Sequence, residues 1–371
     1  MVDMTLTSRQ MFWMMVSMQV IMTLLLTTTP TFQIAKQDAW ISTLLASGVG
    51  SGIAYVCAKL SLMFPGRTLI EFSRDLFGKW LAILIAVMYL MFWISLFGII
   101  LQQFKMFIIG TILPQTPPYV IVLLMVTVVL YLTLHGVGAI ARCCEIMGPL
   151  IIIGVVSPVF FAFNRIDADQ LLPVFVDSGF MAIVKGALPT ATFLGDCIMI
   201  MVLVSFVGKT RKVVRHAVLG VLMSGLFTVM SVFSCLLIFG LHVTKGYPYP
   251  LLIVVRSISL SGVIENMDAI LISVWIMSVF TKLTLYLFVS SYGTSQLLGI
   301  KDWRKVAWPI AFLGVVMALI PLNYVESSIV FPIKVAVPFS FPILMIGLPL
   351  MMLMIALIKR KMSKKNKPIT R

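Results

Sequence analysis

Charge is scarce in this chain. Only 11% of its 371 residues are Asp, Glu, Lys or Arg, against about 25% in an ordinary soluble domain. With 13 acidic residues and three histidines, the carboxylate pairs and histidine clusters that build hydrolytic or metal sites have little to draw on. Cys57, Cys143, Cys144, Cys197 and Cys235 lie in or beside apolar segments without metal spacing, and read as small packing residues. His135, His216 and His242 fall at segment ends with no ligand-like companions. Phosphate-loop, nucleophile and metal motifs are lacking as well, so neither enzymatic chemistry nor a cofactor is expected.

Apolar residues are abundant. They make up 60% of the chain, with a mean hydropathy of +1.09. A water-soluble fold cannot hide that excess, because folding leaves much apolar surface exposed. Soluble enzymes, nucleic-acid modules and disordered chains are excluded; the composition is that of an all-α integral membrane protein. At about 20 residues per crossing, there is room for about ten transmembrane helices. Apolar runs broken by Pro, Gly and charge place them near 9–35, 40–64, 81–109, 118–134, 145–163, 186–207, 216–241, 267–293, 305–322 and 335–358. No small-residue cleavage motif follows the apolar run Met11–Leu26, so it is expected to be the first span and not a removable signal. Residues 1–358 are expected to form one transmembrane domain and 359–371 a basic cytoplasmic tail. Between Pro65 and Trp80, Leu69, Phe72, Leu76 and Phe77 recur at helical spacing against Arg74, Asp75 and Lys79, the pattern of an interfacial helix. The mixed stretches 164–185 and 242–266 are expected to cap one face.

The net charge of +15 has a placement. With a cytoplasmic N-terminus and ten alternating spans, twenty cations fall inside, seven of them between Lys359 and Arg371, and seven fall outside. Acidic residues divide five inside and seven outside, so the whole net charge lies on one face. Both termini are therefore expected in the cytoplasm. The partner of this charge is expected to be membrane lipid and not nucleic acid.

Few polar groups lie deep in the spans. Helix 1 carries Gln19, Thr23 and the run Thr27-Thr28-Thr29-Pro30; helix 6 carries Pro189 and Gly195-Asp196. Both are expected to be discontinuous, and both open a block of five helices. Interruptions at corresponding positions of two halves point to two inverted five-helix repeats with a site at mid-membrane. Asp196 is the deep carboxylate and Lys282 the deep cation, which makes both functional candidates, with a structural ion pair as the alternative. Lys282 belongs to a stripe, Ser278, Lys282, Tyr286 and Ser290, that is expected to face inward. Its ammonium is expected to meet helix 1 carbonyls freed by the break, with Asp196 balancing the charge. The expected cavity lies between helices 1, 3, 6 and 8. Its expected lining is Thr23 and Leu25, then Phe92 and Leu96, then Leu194, Gly195 and Asp196, and finally Lys282 and Tyr286. Gly48 and Gly52 form a G-x-x-x-G expected to mark close helix packing.

Several stretches together carry a family resemblance: QDAWI (Gln37–Ile41), FPGRTLIEF (Phe64–Phe72), LFGKW (Leu76–Trp80), IARCCEIMGPL (Ile140–Leu150) and LLPV (Leu171–Val174). They continue with KGALPT (Lys185–Thr190), FLGD (Phe193–Asp196), YPYP (Tyr247–Pro250) and the run from Ile264 to Tyr286. In order and spacing the chain resembles the B subunit of spore germinant receptors, a branch of the amino acid–polyamine–organocation transporter superfamily. The resemblance implies a ten-helix bundle of inverted repeats in the spore inner membrane, working beside an A subunit and a lipoprotein C subunit. It also implies a subunit that senses a small nutrient germinant, commonly an amino acid, and triggers ion and dipicolinate release. Where family members usually place glycines before the helix 1 proline, this chain has Thr23, Leu24 and Leu25. Two other functions fit the same residues: a proton-coupled amino-acid permease using Asp196 or Lys282, and a structural subunit without a working site.

Overall fold

Each helix starts and stops for a local reason. In the computed structural model, which describes residues 6–161, 167–172, 175, 178–208, 211–257, 267–320 and 332–365, α1 (Ser8–Leu26) opens on a capping box. There the Thr7 hydroxyl accepts from the Gln10 N–H, and the Gln10 side chain accepts from the Thr7 N–H. The helix stops at Thr27, three residues before Pro30, whose ring removes a backbone donor. After that break α2 (Thr28–Ala35) continues the span, and a short 3-10 turn leads into α3 (Ala39–Met63).

Next comes α4 (Leu69–Phe77), the amphipathic helix expected between Pro65 and Trp80. It buries Leu69, Phe72 and Leu76 and is capped by Thr68 and Glu71. The long α5 (Lys79–Thr111), α6 (Pro118–Leu134) and α7 (Val137–Phe161) complete the first half.

The second half opens with α8 (Gly179–Gly195), which tightens into a 3-10 turn over Asp196–Met199 before α9 (Ile200–Leu203). Then follow α10 (Lys212–Thr244), α11 (Pro250–Arg256), α12 (Met267–Leu298) and α13 (Arg304–Leu319). Gly240, at φ 69°, is where α10 turns. The last span begins as a π-helical run, Pro332–Gly347, and continues as α14 (Leu348–Lys365).

Among the described residues, eight helical stretches are long and apolar enough to cross a membrane. Two shorter helices, α6 with 17 residues and α13 with 16, pack on each other. Among the described residues the one extended pairing is Leu6 beside Val207, where the Leu6 N–H donates to the Phe206 carbonyl at 2.7 Å. At the centre stands α1, buried at every residue from Met14 to Leu26 and packed against α10, α7 and α12. Outward faces of α5, α6 and α13 carry Leu84, Met91, Leu124, Tyr131, Trp308 and Phe312 in the open, as a lipid-facing surface requires.

Three expectations shift. The sixth span begins at Gly179 and not near residue 186, and Pro189 lies inside the helix. Apolar patterning cannot mark such ends, because these helices run past the hydrocarbon. For the same reason α14 passes residue 358 and carries Lys359, Arg360 and Lys361 on helix. The glycine pair is the third. Gly48 and Gly52 face outward, and a Cβ at either would touch nothing within 4 Å. Close packing is instead at Gly50, where a Cβ would stand 2.6 Å from Leu194 Cβ, and at Ser47, which abuts Gly225 of α10. The G-x-x-x-G spacing is real, but the buried face of α3 is the one between its glycines.

Parts of 164–185 and 242–266 lie outside the described residues. Of the rest, the Asp167 N–H donates to the Leu237 carbonyl at 2.9 Å, and the Thr29 hydroxyl donates to the Tyr247 carbonyl at 2.7 Å. The buried Asp38 carboxylate accepts from the Phe175 N–H at 3.1 Å and from the Ser178 hydroxyl.

Two glycine substitutions test this packing. Gly50→Ala is expected to destabilise the bundle by about 1–3 kcal/mol through overpacking. Gly48→Ala is expected to be neutral, or stabilising by up to about 1 kcal/mol through helix propensity. Melting temperatures in detergent check the order, and the reverse order would mean that α3 packs through Gly48.

Candidate functional site

The stripe on α12 faces the interior: Ser278, Lys282, Tyr286 and Ser290 are all fully buried. It is fixed against α1 by hydroxyls. Ser278 donates to the Ser17 carbonyl at 2.6 Å, and Thr281 reaches the same oxygen at 3.3 Å. One turn further along, the Lys282 ammonium lies 2.8 Å from the Asp196 carboxylate, with side chains only 1% and 8% exposed. The ammonium also sits 5.4 Å from the ring centre of Phe193 and 6.0 Å from that of Tyr286, distances at which aromatic faces attract a cation. The expected contact between α12 and the helix 1 backbone therefore exists, but Ser278 and Thr281 make it. Lys282 faces Asp196.

Asp196 owes its position to the tightened helix. It follows Gly195, where a Cβ would come within 2.5 Å of the Met345 sulfur, so glycine lets the π-helical run approach. The Leu194 carbonyl accepts from Gln19 Nε2 at 2.8 Å, tying α1 to the tightened turn. Threonines join the two interrupted spans. The Thr190 hydroxyl donates to that of Thr27 at 2.9 Å, and the Thr31 hydroxyl reaches the Thr27 carbonyl at 2.8 Å and the Gly186 carbonyl at 3.2 Å.

Beside the ion pair is a cavity of about 30 Å³, room for roughly one water molecule. Its walls come from α5, α8, the 3-10 turn, α12 and the π-helical run. Of the sequence-derived candidates, Phe92, Leu96, Asp196 and Lys282 stand together on this lining. The other five are not on it, and the expected contribution of helix 1 is missing from this lining. Thr23 and Leu25 are buried in α1, the Thr23 hydroxyl without a hydrogen-bond partner among the described residues. Leu194 turns its side chain toward Gly50, Gly195 backs onto Met345, and Tyr286 lies beyond the ammonium. Sequence reading missed Gln103, Thr192, Phe193 and Met345 on the lining. Gln103 and Thr192 carried a signal, being polar residues on the faces of Leu96 and Asp196. Met345 carried none, because it depends on a π-helical register.

Aromatic stacks flank the ion pair along α12. Trp275 packs on Phe107 at 4.0 Å between ring centres and on Phe104 at 5.5 Å, while Phe288 meets Phe206 at 5.6 Å and Trp303 at 5.2 Å. Trp275 and Phe288 stand about 10.5 Å and about 9 Å to either side of Lys282 along the helix at 1.5 Å per residue. Among the described residues no group of three or more His, Cys, Asp or Glu side chains stands close enough to hold a metal ion.

The family profile described as spore germination protein matches residues 5–328. The chain belongs to the spore germination protein family. Spore germination protein YndE of Bacillus subtilis (strain 168) is 26% identical over 303 residues, covering 81% of this chain and 80% of that protein. Spore germination protein KB of the same organism is 22% identical over 369 residues, covering 97% and 96%. Among solved structures, MhsT in complex with L-phenylalanine superposes with a TM-score of 0.66 at 14% identity, covering 94% of this chain and 87% of that one. Mhp1, a nucleobase-cation-symport-1 family transporter in a closed conformation, gives 0.66 at 11% identity over 84% and 71%. The family member described here thus has a transporter fold.

The buried pair makes a stability prediction. Removing one partner strands the other charge, whereas removing both does not. Asp196→Asn and Lys282→Met are each expected to cost about 3–5 kcal/mol, and the double variant is expected to recover most of that loss. Thermal denaturation in detergent across the four proteins measures the coupling. Additive losses would mean that the two charges do not depend on each other.

Proposed function

We propose that this chain is the nutrient-binding subunit of a spore germinant receptor, and that the Asp196–Lys282 pair is the core of its binding site. The observation that carries this reading is a buried carboxylate and ammonium, 2.8 Å apart, on the wall of a small apolar cavity where helix 6 tightens. Such a pair suits a zwitterionic amino acid. The ligand carboxylate takes over Lys282, its ammonium takes over Asp196, and no buried charge is left unpaired. Its side chain meets Phe92, Leu96 and Ile100. A neighbour in fold solved with L-phenylalanine bound supports an amino-acid ligand.

With about 30 Å³ the cavity holds no amino acid as it stands, so binding parts the ion pair and opens the walls. That movement is the signal in our reading. The bundle has ten crossings, counting α6 and α13, arranged as two inverted five-helix repeats in the spore inner membrane. Both termini lie on the cytoplasmic side. An A subunit and a lipoprotein C subunit read the movement, docking on the segments around 164–185 and 242–266 or on the basic loop around Lys209–Arg215.

The transporter fold favours one alternative, a proton-coupled amino-acid permease. Uptake of labelled amino acids by proteoliposomes of the purified chain separates the two. The receptor reading expects binding without accumulation, and concentrative uptake would replace it with the permease.

Leu96→Trp is expected to fill the cavity and shift the germination dose–response by at least about tenfold at normal protein abundance. An unchanged response removes α5 from the site. The double variant Asp196→Asn/Lys282→Met is expected to accumulate normally yet give no response. A normal response from it would leave the pair a purely structural role.

A further inference from the structure

At the basic end of the bundle, where α3 and α14 finish and α10 begins, two cavities share Leu62, Met63 and Arg360. The first, an open groove of about 710 Å³, is lined by Tyr55, Lys59, Val214, Arg211 and Leu357 as well as the shared residues. The second, of about 430 Å³, continues toward Lys359 and the end of α4. Lys359 is engaged, donating to the Asp75 and Leu76 carbonyls at 2.8 and 3.0 Å. Lys59 donates to the Tyr55 hydroxyl at 3.1 Å. None of Lys59, Arg211 and Arg360 has a carboxylate partner among the described residues. Three cations, from the ends of α3 and α14 and from the turn just before α10, therefore converge on one groove with apolar walls and no anion.

The groove has an extension. Gly48, Gly52, Tyr55 and Lys59 follow one another at spacings of four, three and four, so they share one face of α3. Tyr55 and Lys59 line the groove, and the two glycines lie further from the basic end with open space beside them. The face of α3 that lines the groove thus continues toward mid-bundle over two residues without side chains, Gly52 and Gly48.

We propose that this groove binds one anionic phospholipid, its phosphate among Lys59, Arg211 and Arg360 and an acyl chain along the Gly52–Gly48 face of α3. Charge, shape and depth agree. Basic pockets between helices at a membrane surface suit acidic headgroups, the Tyr55 hydroxyl lies beside the Lys59 ammonium as a further polar group, and the open space at Gly52 and Gly48 leaves an acyl chain room against α3. A partner helix could use the glycines, but it would not account for three unpaired cations at their end. The inference rests on the bundle lying in a membrane and is independent of what the central cavity binds.

Native mass spectrometry of the full chain in mild detergent, titrated with dioleoylphosphatidylglycerol or dioleoylphosphatidylcholine, tests it. One phosphatidylglycerol is expected to stay bound under conditions that strip phosphatidylcholine. Lys59→Gln/Arg211→Gln/Arg360→Gln is expected to weaken that binding at least about tenfold. Arg142→Gln/Lys301→Gln/Lys305→Gln removes as many exposed cations elsewhere and is expected to stay within about twofold of the parent. Gly48→Leu/Gly52→Leu leaves every charge in place, fills the open space beside α3 and is also expected to weaken binding, so it serves if the first variant fails to fold.

The proposal is overturned by equal retention of both lipids, which is the result expected if a partner helix fills the groove. Equal losses in the two charge variants overturn it as well, since they would report only surface charge. Displacement of the lipid by millimolar inorganic phosphate would identify a free-anion site instead.

Discussion

A hydrocarbon surround offers no hydrogen bonds, so every backbone group released by a broken helix must find its partner within the protein. The rest of this structure depends on that constraint. At the break between α1 and α2 the Thr27 and Thr31 N–H groups still reach the Thr23 and Thr27 carbonyls, and threonine hydroxyls add to these bonds. Thr27 donates to the Thr23 carbonyl at 2.7 Å, Thr28 to that of Leu24, and Thr31 to that of Thr27. At the tightened turn of the sixth span, Gln19 satisfies the Leu194 carbonyl. On α1, Ser17 is met by Ser278 and Thr281. Even the far end of α13 follows the rule, with the buried Lys105 ammonium on the Ala318 carbonyl at 2.6 Å, where a cation also suits the helix dipole. Most of these bonds cross between helices, so the polar groups that repair the breaks also set how the spans sit against one another.

The ion pair obeys the same rule with larger energies. Either charge alone would be costly at this depth, and together they still lose most of their hydration. Partial compensation comes from the aromatic faces of Phe193 and Tyr286 around the ammonium. A pair held this way is stable while closed yet exchangeable, because any ligand with both charges can replace each partner like for like. A site built from neutral hydrogen-bonding groups would show no such preference for zwitterions. Under the proposed function, threonine and leucine at positions 23–25 fit this arrangement, since both charged groups lie on the tightened turn after α8 and on α12, away from the α1 backbone.

Much of this was legible in the sequence, for physical reasons. Proline, glycine and consecutive threonines announce helix breaks because they remove a donor, admit a close neighbour or compete for carbonyls; the chain breaks at Thr27, while after Gly195 it stays helical and tightens to a 3-10 turn. Lys282 and Asp196 stood out because charge in an apolar run needs a partner. Phe92 and Leu96 followed from their spacing on one helix face. What escaped was register between helices. Small residues at 48 and 52 predict close packing with equal force whichever way α3 is rotated, and only the partner surface of Leu194 and Gly225 decides for Gly50 and Ser47. Met345 and Ala336 reach the cavity on a run of wider turns, which a 3.6-residue period cannot foresee.

The closed cavity leaves the question of which wall can yield. Toward the basic end, the Leu6–Phe206 hydrogen bond and the rings of Phe206, Phe288, Tyr292 and Trp303 fill the space. Toward the far end, Trp275, Phe107, Phe104 and Tyr249 do so. Both α5 and α12 are long unbroken helices, and bending either disrupts consecutive backbone bonds in a medium that cannot replace them. The wall that supplies Ala336 and Met345 differs. Its π-helical run contains Pro338 and Pro342, neither of which has a backbone N–H to lose. It is pinned to α5 by the Tyr89 hydroxyl, which donates to the Leu344 carbonyl at 2.7 Å. Displacing this wall also frees Gly195 from Met345, beside the Asp196 carboxylate that pairs with Lys282. The wall that carries the prolines and the Asp196–Lys282 pair therefore meet at one point, Gly195 against Met345.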